Sequence, residues 1–452
     1  MTSKKGQMRL GVFLNPTGHH AASWLHPGTT PDAGINFQHQ LDIVRSAERA
    51  KLDFIFLADM MTIRKATPDA RFRFAQYVAN FDPITMLAAL APMTERIGLV
   101  ATASTSYYEP FHVARQFASI DHLSKGRVGW NLVTSGNPEE AYNFGRDAHL
   151  EHDERYGRAR EFAQVVQALW DSYDDDAFVR DRASGAFFDP ERMHFLNHKG
   201  KHFSVRGPLT MPRPIQGYPV LVQAGGSEAG GALASEFAEV IFGADATIEA
   251  AQAFYARVKD GMAQYGRSRE HLKIMPGMSI FVGRTEAEAD EKFEYLQSRI
   301  QPMVSREALS IMLGGVDLTG YDLDDKLPDD LPQTQGSHAH FRNIVEKAKR
   351  ENLSIREIGN WVAGARGKCI IKGTPEHIAD VLEEWFVKDA ADGFNLMPAW
   401  LPGSLDDVIT MVVPELQKRG LFRTEYEGRT LRDNLGLPRP ESRYRRHAQA
   451  AE

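Results

Sequence analysis

The sequence predicts an α/β fold, a (β/α)8 (TIM) barrel carrying several insertions. Eight short β-branched or aliphatic runs recur along the 452 residues, amphipathic stretches separate them, and the runs are near-continuously apolar rather than alternating. Continuous apolarity is what a strand buried on both faces of a parallel sheet requires. Strands alternating with helices then lead to a parallel barrel or a doubly wound open sheet. The open sheet is disfavoured because no G-x-G-x-x-G follows the first run and no G-x-x-x-x-G-K-[ST] occurs.

The runs are RLGVFLN (9–15), FIFLAD (54–59), IGLVATAST (97–105), RVGWNLVTS (127–135), PVLVQAG (219–225), EVIFGA (239–244), KIMPGMSIFVG (273–283) and GFNLMPA (393–399). Between the fourth and fifth, ERYGRAREFAQVVQALW places Tyr156, Ala159, Ala163, Val166 and Trp170 on one helical face, with Asp153 positioned as a cap. Pro83 and Pro375 suit first-turn positions, where the missing N–H costs nothing. A bare barrel needs about 250 residues, leaving roughly 200 as additions to one domain spanning 1–452. They concentrate near 16–34, 60–81, 136–150, 174–218 and 301–372, and the tail near 440–452, with Arg443, Arg445 and Arg446, reads as disordered.

Composition narrows the function. With 42% hydrophobic and 10% aromatic residues the chain can bury a large core, and its formal charge of −7 is well mixed, without a nucleic-acid footprint. The single cysteine, Cys369, excludes an intramolecular disulfide and a cysteine-built zinc site. The N-terminus lacks an apolar signal core and no segment reaches about 18 uninterrupted apolar residues, so a cytoplasmic protein is expected.

In a (β/α)8 barrel the chemistry sits at the C-terminal ends of the strands. There the sequence supplies Asn15 and His19, Asp59, Thr102, Ser104 and Thr105, Asn131, Thr134 and Ser135, then Gln223, Gly225, Gly226 and Ser227. This set is rich in amides and hydroxyls. It lacks the clustered His and Asp of a metal-assisted hydrolase, a G-x-S-x-G elbow, and a strand-end lysine for a Schiff base. A mouth of neutral donors and acceptors suits a large polar heterocycle that brings its own reactivity, and flavin is the natural candidate. In VQAGGSEAGG a strand passes into a helix with Ser227 at the junction, where an anion meets backbone N–H groups and the positive helix end. EHDERY adds His152 and Tyr156 as a second grip. Arg64, Lys65, Arg71 and Arg73, after the second strand, hint at an anionic substrate, and Phe13, Phe81, Met397 and Trp400 at pocket walls.

Taken together, LDFIFLAD (52–59), IGLVATAST with YYEP (97–110), RVGWNLVTS with NFG (127–145), EHDERY (151–156), LNHKGKHFSVRGPL (196–209), PVLVQAGGS (219–227), DGFNLMP (392–398) and VVPELQKRGLFRTEY (412–426) carry a family resemblance. The chain resembles, over nearly its whole length, the flavin-dependent monooxygenases of the bacterial luciferase-like superfamily. The branch is the one holding nitrilotriacetate, EDTA, dibenzothiophene-sulfone and long-chain alkane monooxygenases, with the nitrilotriacetate enzymes nearest in pattern. The resemblance implies reduced FMN (FMNH2) delivered by a separate NAD(P)H:flavin reductase, O2 as co-substrate, and a homodimer or homotetramer. It implies a flavin C4a-(hydro)peroxide that hydroxylates a small organic substrate, with oxidative C–N cleavage of an aminopolycarboxylate as one outcome. It also implies that Asp59 and Thr102, or its neighbour Ser104, face the isoalloxazine, while His152, Tyr156 and Ser227 hold the ribityl-phosphate end with Ser135 nearby. His19 or His20 is the expected proton donor, since histidine titrates near neutral pH. A deazaflavin-dependent dehydrogenase of the same superfamily and a non-catalytic flavin-binding protein remain alternatives at this point.

Overall fold

The computed structural model describes residues 6–63, 78–225, 227–243, 247–331 and 338–444. Eleven strands occur among them: β1 (Arg9–Phe13), β2 (Phe54–Leu57), β3 (Gly98–Ser104), β4 (Val128–Val133), β5 (His198–Lys199), β6 (Ser204–Val205), β7 (Val220–Ala224), β8 (Val240–Gly243), β9 (Lys273–Val282), β10 (Cys369–Gly373) and β11 (Gly393–Leu396). The eight expected from the sequence are β1–β4, β7–β9 and β11. Their parallel order β9-β11-β1-β2-β3-β4-β7-β8 closes on itself through the β8–β9 pairing, giving the expected (β/α)8 barrel. β5 and β6 form a small antiparallel hairpin in the 174–218 insertion.

β10 was not expected, because its residues lay in or beside a segment read as an insertion. Its cause is the length of β9, which runs ten residues against four each for β8 and β11. β8 pairs with Lys273–Pro276, and the second half of β9 takes β10 in register from Cys369↔Met278 to Gly373↔Val282. Backbone groups left unpaired on a buried strand are costly, so an overlong strand recruits a partner.

Along β3, period-2 alternation puts Gly98, Val100, Thr102 and Ser104 on one face. Across the ladder, Val100 pairs with Gly129 and Thr102 with Asn131. Val100 joins Phe13, Phe54, Phe56, Val220, Val222, Val240 and Met397 in an apolar cluster. The same face then turns polar towards the strand ends. Trp130, on the other face of β4, packs outward against Phe117, Phe162 and Trp170 of the surrounding helices.

Leu431 and Leu435 belong to the same apolar cluster at the N-terminal ends of the strands. A Cβ at Gly98 would fall 2.4 Å from Leu431, so this glycine makes room for it, whereas one at Gly129 would press first on Val100 and the Val220 carbonyl. Arg423 pairs with buried Asp53 at 2.5 Å, and Arg432 forks onto Glu239 at 2.6 and 2.8 Å, tying this C-terminal segment down. The tail expected to be disordered from about residue 440 is packed through Tyr444: Ser442 is buried, and the Tyr444 ring stacks on His194 with centroids 3.8 Å apart. Residues 445–452 lie outside the described residues.

Three helices of the 301–372 insertion, Pro302–Met312, His338–Arg350 and Ile355–Ala365, pack around their own core, which includes Leu309, Leu313, Ile358 and Val362. The last helix rests on the loop after β1, where Ala21 N–H donates to the Ala363 carbonyl at 2.9 Å. Pro83 and Pro375 do open helices. The helix His152–Trp170 is preceded by Glu151 without a side-chain cap, so Asp153 lies in its first turn instead. Among the described residues, no helix is long and apolar enough to cross a membrane.

Candidate active site

The C-terminal ends of the strands open into a cleft of about 1340 Å³. Of the eight site residues expected from the sequence, seven line it: Asp59, Thr102, Ser104, Ser135, His152, Tyr156 and Ser227. Phe13, Phe81 and Met397 line it too. Trp400 does not; it stacks on His26 at 4.8 Å. Arg64, Lys65, Arg71, Arg73 and Gly226 lie outside the described residues.

The floor is a hydrogen-bonded relay of neutral groups. Thr102 Oγ1 donates to the Leu57 carbonyl at 2.9 Å and accepts from Asn131 Nδ2 at 2.7 Å. Asn131 Oδ1 is buried with no hydrogen-bond partner among the described residues. An orphaned acceptor in an otherwise satisfied floor points to a donor on a bound molecule. One residue pair up β3, Ser104 Oγ lies 2.8 Å from Ser135 Oγ. Thr102 and Ser104 therefore both face the cleft, as alternation requires. Ser135 sits at φ +54°, a left-handed conformation, and its carbonyl accepts from Arg155 Nη1 at 2.5 Å.

The second grip forms where β7 meets the helix Glu228–Phe237. Ser227 caps that helix, accepting from Gly230 N–H at 3.0 Å, and its Oγ lies 3.2 Å from the Tyr156 hydroxyl. Two hydroxyl protons serve one mutual bond, so one is left to donate outward. The His152 ring stands 4.8 Å from that of Tyr156, with Nδ1 3.1 Å from Asp153. A helix N-terminus flanked by a spare hydroxyl proton and a histidine suits a phosphate.

Asp59 accepts from Met60 N–H at 2.8 Å; burial, with the nearby charge of Asp82 second, pushes its carboxyl up to about 6. His19 does not join the cleft, contrary to expectation. It is 1% exposed, lies edge-on to Phe13 at 4.4 Å, and its Nε2–H donates to the Phe13 carbonyl at 2.9 Å. Burial, reinforced by the charge of Arg366, holds its proton affinity well below that of a free histidine. His20 is also buried, and desolvation lowers it to about 3. At both positions burial favours the neutral imidazole, and neither residue lines the cleft. Among the described residues no group of three or more His, Cys, Asp or Glu is placed to hold a metal ion.

Several cleft residues escaped the sequence reading. Tyr107 stacks on Phe144 at 4.8 Å and donates to His149 Nδ1 at 2.5 Å. Arg155 follows His152 by one helical turn and was legible in principle. Arg366 and Lys368 reach the cleft from the segment entering β10, a strand that periodicity did not disclose.

The floor and the second grip suit the two ends of a flavin nucleotide: hydrogen-bonding groups for the ring system and an anion site for the phosphate. Residues 8–393 match the luciferase-like monooxygenase family. The chain belongs to that family. This luciferase-like monooxygenase is 49% identical over 442 residues to nitrilotriacetate monooxygenase component A of Aminobacter aminovorans, covering 96% of this chain and 98% of that protein. It is 50% identical over 446 residues to N-acetyl-S-(2-succino)cysteine monooxygenase of Bacillus subtilis (strain 168), covering 98% and 100%. The solved structure of riboflavin lyase with modified FMN and riboflavin superposes with a TM-score of 0.86 at 32% identity, covering 95% of this chain and 96% of that one.

Proposed function

We propose that this monooxygenase is the oxygenase component of a two-component system that takes reduced FMN from a separate NAD(P)H:flavin reductase. It uses O2 to hydroxylate a small polycarboxylate at a carbon beside nitrogen or sulfur. The observation that carries the cofactor is the cleft floor, where orphaned Asn131 Oδ1 lies beside Thr102, together with the Tyr156–Ser227 hydroxyl pair at a helix N-terminus. The relative named as component A supports the two-component reading. The substrate class is supported by both half-identical relatives, whose named substrates are tricarboxylates built around one amine nitrogen or one thioether sulfur.

Bound reduced flavin supplies the electron pair that activates dioxygen, so that one oxygen atom enters the substrate and the other leaves as water. The protein's own tasks are binding, orientation and exclusion of water. Tyr156, Ser227 and His152 hold the phosphate, while Thr102, Ser104 and Asn131 orient the ring system. Phe13, Phe242 and Met397 give the cleft an apolar wall that keeps solvent from the reacting atoms. Asp59, rather than His19, offers the cleft a carboxyl that burial pushes up to about 6. Hydroxylation beside the heteroatom gives an unstable carbinol, which splits into a carbonyl compound and the shortened amine or thiol. A partner drawing on NAD(P)H supports a cytoplasmic location, and the family resemblance favours a homodimer or homotetramer.

The purified chain alone is expected to oxidise NADH negligibly. Adding a flavin reductase, FMN and nitrilotriacetate or N-acetyl-S-(2-succino)cysteine should produce substrate-dependent oxygen uptake and a carbonyl product. Robust NADH turnover by the single chain would falsify the two-component reading. Flavin binding without oxygen uptake on any polycarboxylate would overturn the polycarboxylate substrate class.

A further inference from the structure

We infer that Arg366 and Lys368 form the carboxylate-binding subsite of this cleft, an inference that rests on the proposed polycarboxylate substrate. The charges lining the cleft are unevenly placed. The acids Asp59, Asp82 and Glu140 belong to the segments following β2 and β4, the same arc whose strand ends offer the flavin-facing hydroxyls. Arg155 also lies on that side, its guanidinium bonded to the Ser135 carbonyl.

Arg366 and Lys368 come instead from the segment entering β10. The Lys368 ammonium lies 5.0 Å from the Phe242 ring centroid and 3.3 Å from the Gly243 carbonyl, at the end of β8. Arg366 is close enough to His19, behind Phe13 at the end of β1, to depress its protonation. The Phe13 and Phe242 rings are themselves 5.5 Å apart, edge to face. The two cations thus flank one apolar patch built on β1 and β8, and belong to a different segment from the acids.

The backbone supports the assignment. Arg366 ends the helix Ile355–Ala365 at φ +53°, the left-handed position usually given to glycine, and Gly367 follows at φ +71°. A long charged side chain kept where glycine would be relaxed calls for a role. Its guanidinium fork matches a carboxylate with two parallel bonds, whereas Lys368, 6% exposed, supplies a point charge in a poorly solvated setting. A tricarboxylate anchored by two arms here is repelled from the acidic arc. Its heteroatom and remaining arm are thereby presented between the apolar patch and the flavin-facing floor.

The test uses the whole chain reconstituted with oxidised FMN and calorimetric titration. The probes are nitrilotriacetate, N-acetyl-S-(2-succino)cysteine, and the neutral triamide of nitrilotriacetate. Arg366→Gln and Lys368→Gln should each weaken both acids about 10- to 100-fold, the range of one lost charge-assisted contact, while triamide and FMN affinities hold within about twofold. In turnover the loss should appear in KM more than in kcat. If Arg366→Gln does not retain FMN, Arg366→Lys, which keeps the charge and loses the fork, should show a smaller loss of the same kind. Wild-type binding of the acids with undiminished affinity in the variants overturns the subsite and leaves the proposed function standing. Failure of the wild-type protein to bind either acid overturns the polycarboxylate class, and the subsite with it.

Discussion

The hydroxyls of Tyr156 and Ser227 divide their work, and that decides which one to mutate. Ser227 Oγ also accepts from Gly230 N–H, so Ser227→Ala would remove a helix cap, worth about 0.5–2 kcal/mol, along with any phosphate contact. Tyr156→Phe leaves the cap intact. It should weaken FMN binding by roughly 1–3 kcal/mol in a fluorescence titration, with little change in thermal stability. An unchanged affinity would remove the pair from the phosphate site. Asp59 makes a second residue-scale prediction. Its folded-state pKa, raised to about 6 from 3.8, means that folding favours the neutral carboxyl. That contribution is full below about pH 4 and is lost as pH rises through about 6. Asp59→Asn should therefore match the wild-type stability at pH 4 and exceed it by about 1–3 kcal/mol at pH 8, as read by denaturant melts of the flavin-free protein. Equal stability at both pH values would mean that the carboxyl is not held in its neutral form. The strand-end hydroxyls were legible in the sequence because strand period and barrel geometry together assign them a face. His19 was not, since whether a loop histidine faces a cleft or lies behind a phenylalanine is settled by packing distant in sequence.

At the scale of elements, the helix Glu228–Phe237 shows the cofactor grip shaping local sequence. Glycine in a helix interior costs about 0.5–1 kcal/mol relative to alanine, yet Gly230 and Gly231 both occur in its first turn. A Cβ on Gly230 would fall 3.0 Å from Ser227 Oγ and 3.3 Å from the Tyr156 hydroxyl, closer than most Cβ contacts allow. Gly230→Ala should therefore hold or raise the melting temperature through helix propensity while lowering FMN affinity, a split that general destabilisation would not give. A parallel fall in both quantities would mean that the glycine serves packing alone. The eight barrel strands were legible because burial on both faces leaves continuous apolar runs. β10 escaped for the opposite reason: Cys369, Ile370 and Lys372 are only partly buried, so CIIKG carries too short an apolar signal within a segment dominated by helices. With β10 went Arg366 and Lys368, whose approach to the cleft follows from that extra strand and the helix before it.

Across the whole molecule, the two ends of the barrel do different work. The C-terminal strand ends stay open and polar, whereas the opposite ends are plugged by the chain's own C-terminal segment through Leu431, Leu435 and Leu437. The C-terminal segment, some 330 residues distant in sequence, thus completes the core begun at Gly98, and no local pattern announces this. Its ion pairs are buried as well: Asp53 is fully enclosed, accepts from Leu10 N–H at 2.7 Å and faces Arg423. Leu431 fills the space over Gly98, which has no side chain to expand into it, so Leu431→Ala leaves a cavity that rigid strands close poorly. The expected loss is about 2–5 kcal/mol, measured by denaturant unfolding. Because the plug lies at the far end from the cleft, the surviving folded protein should bind FMN with unchanged affinity. A Leu431→Ala variant that kept its stability but lost flavin binding would instead place the plug in communication with the site, and the division of labour between the two ends would have to be abandoned.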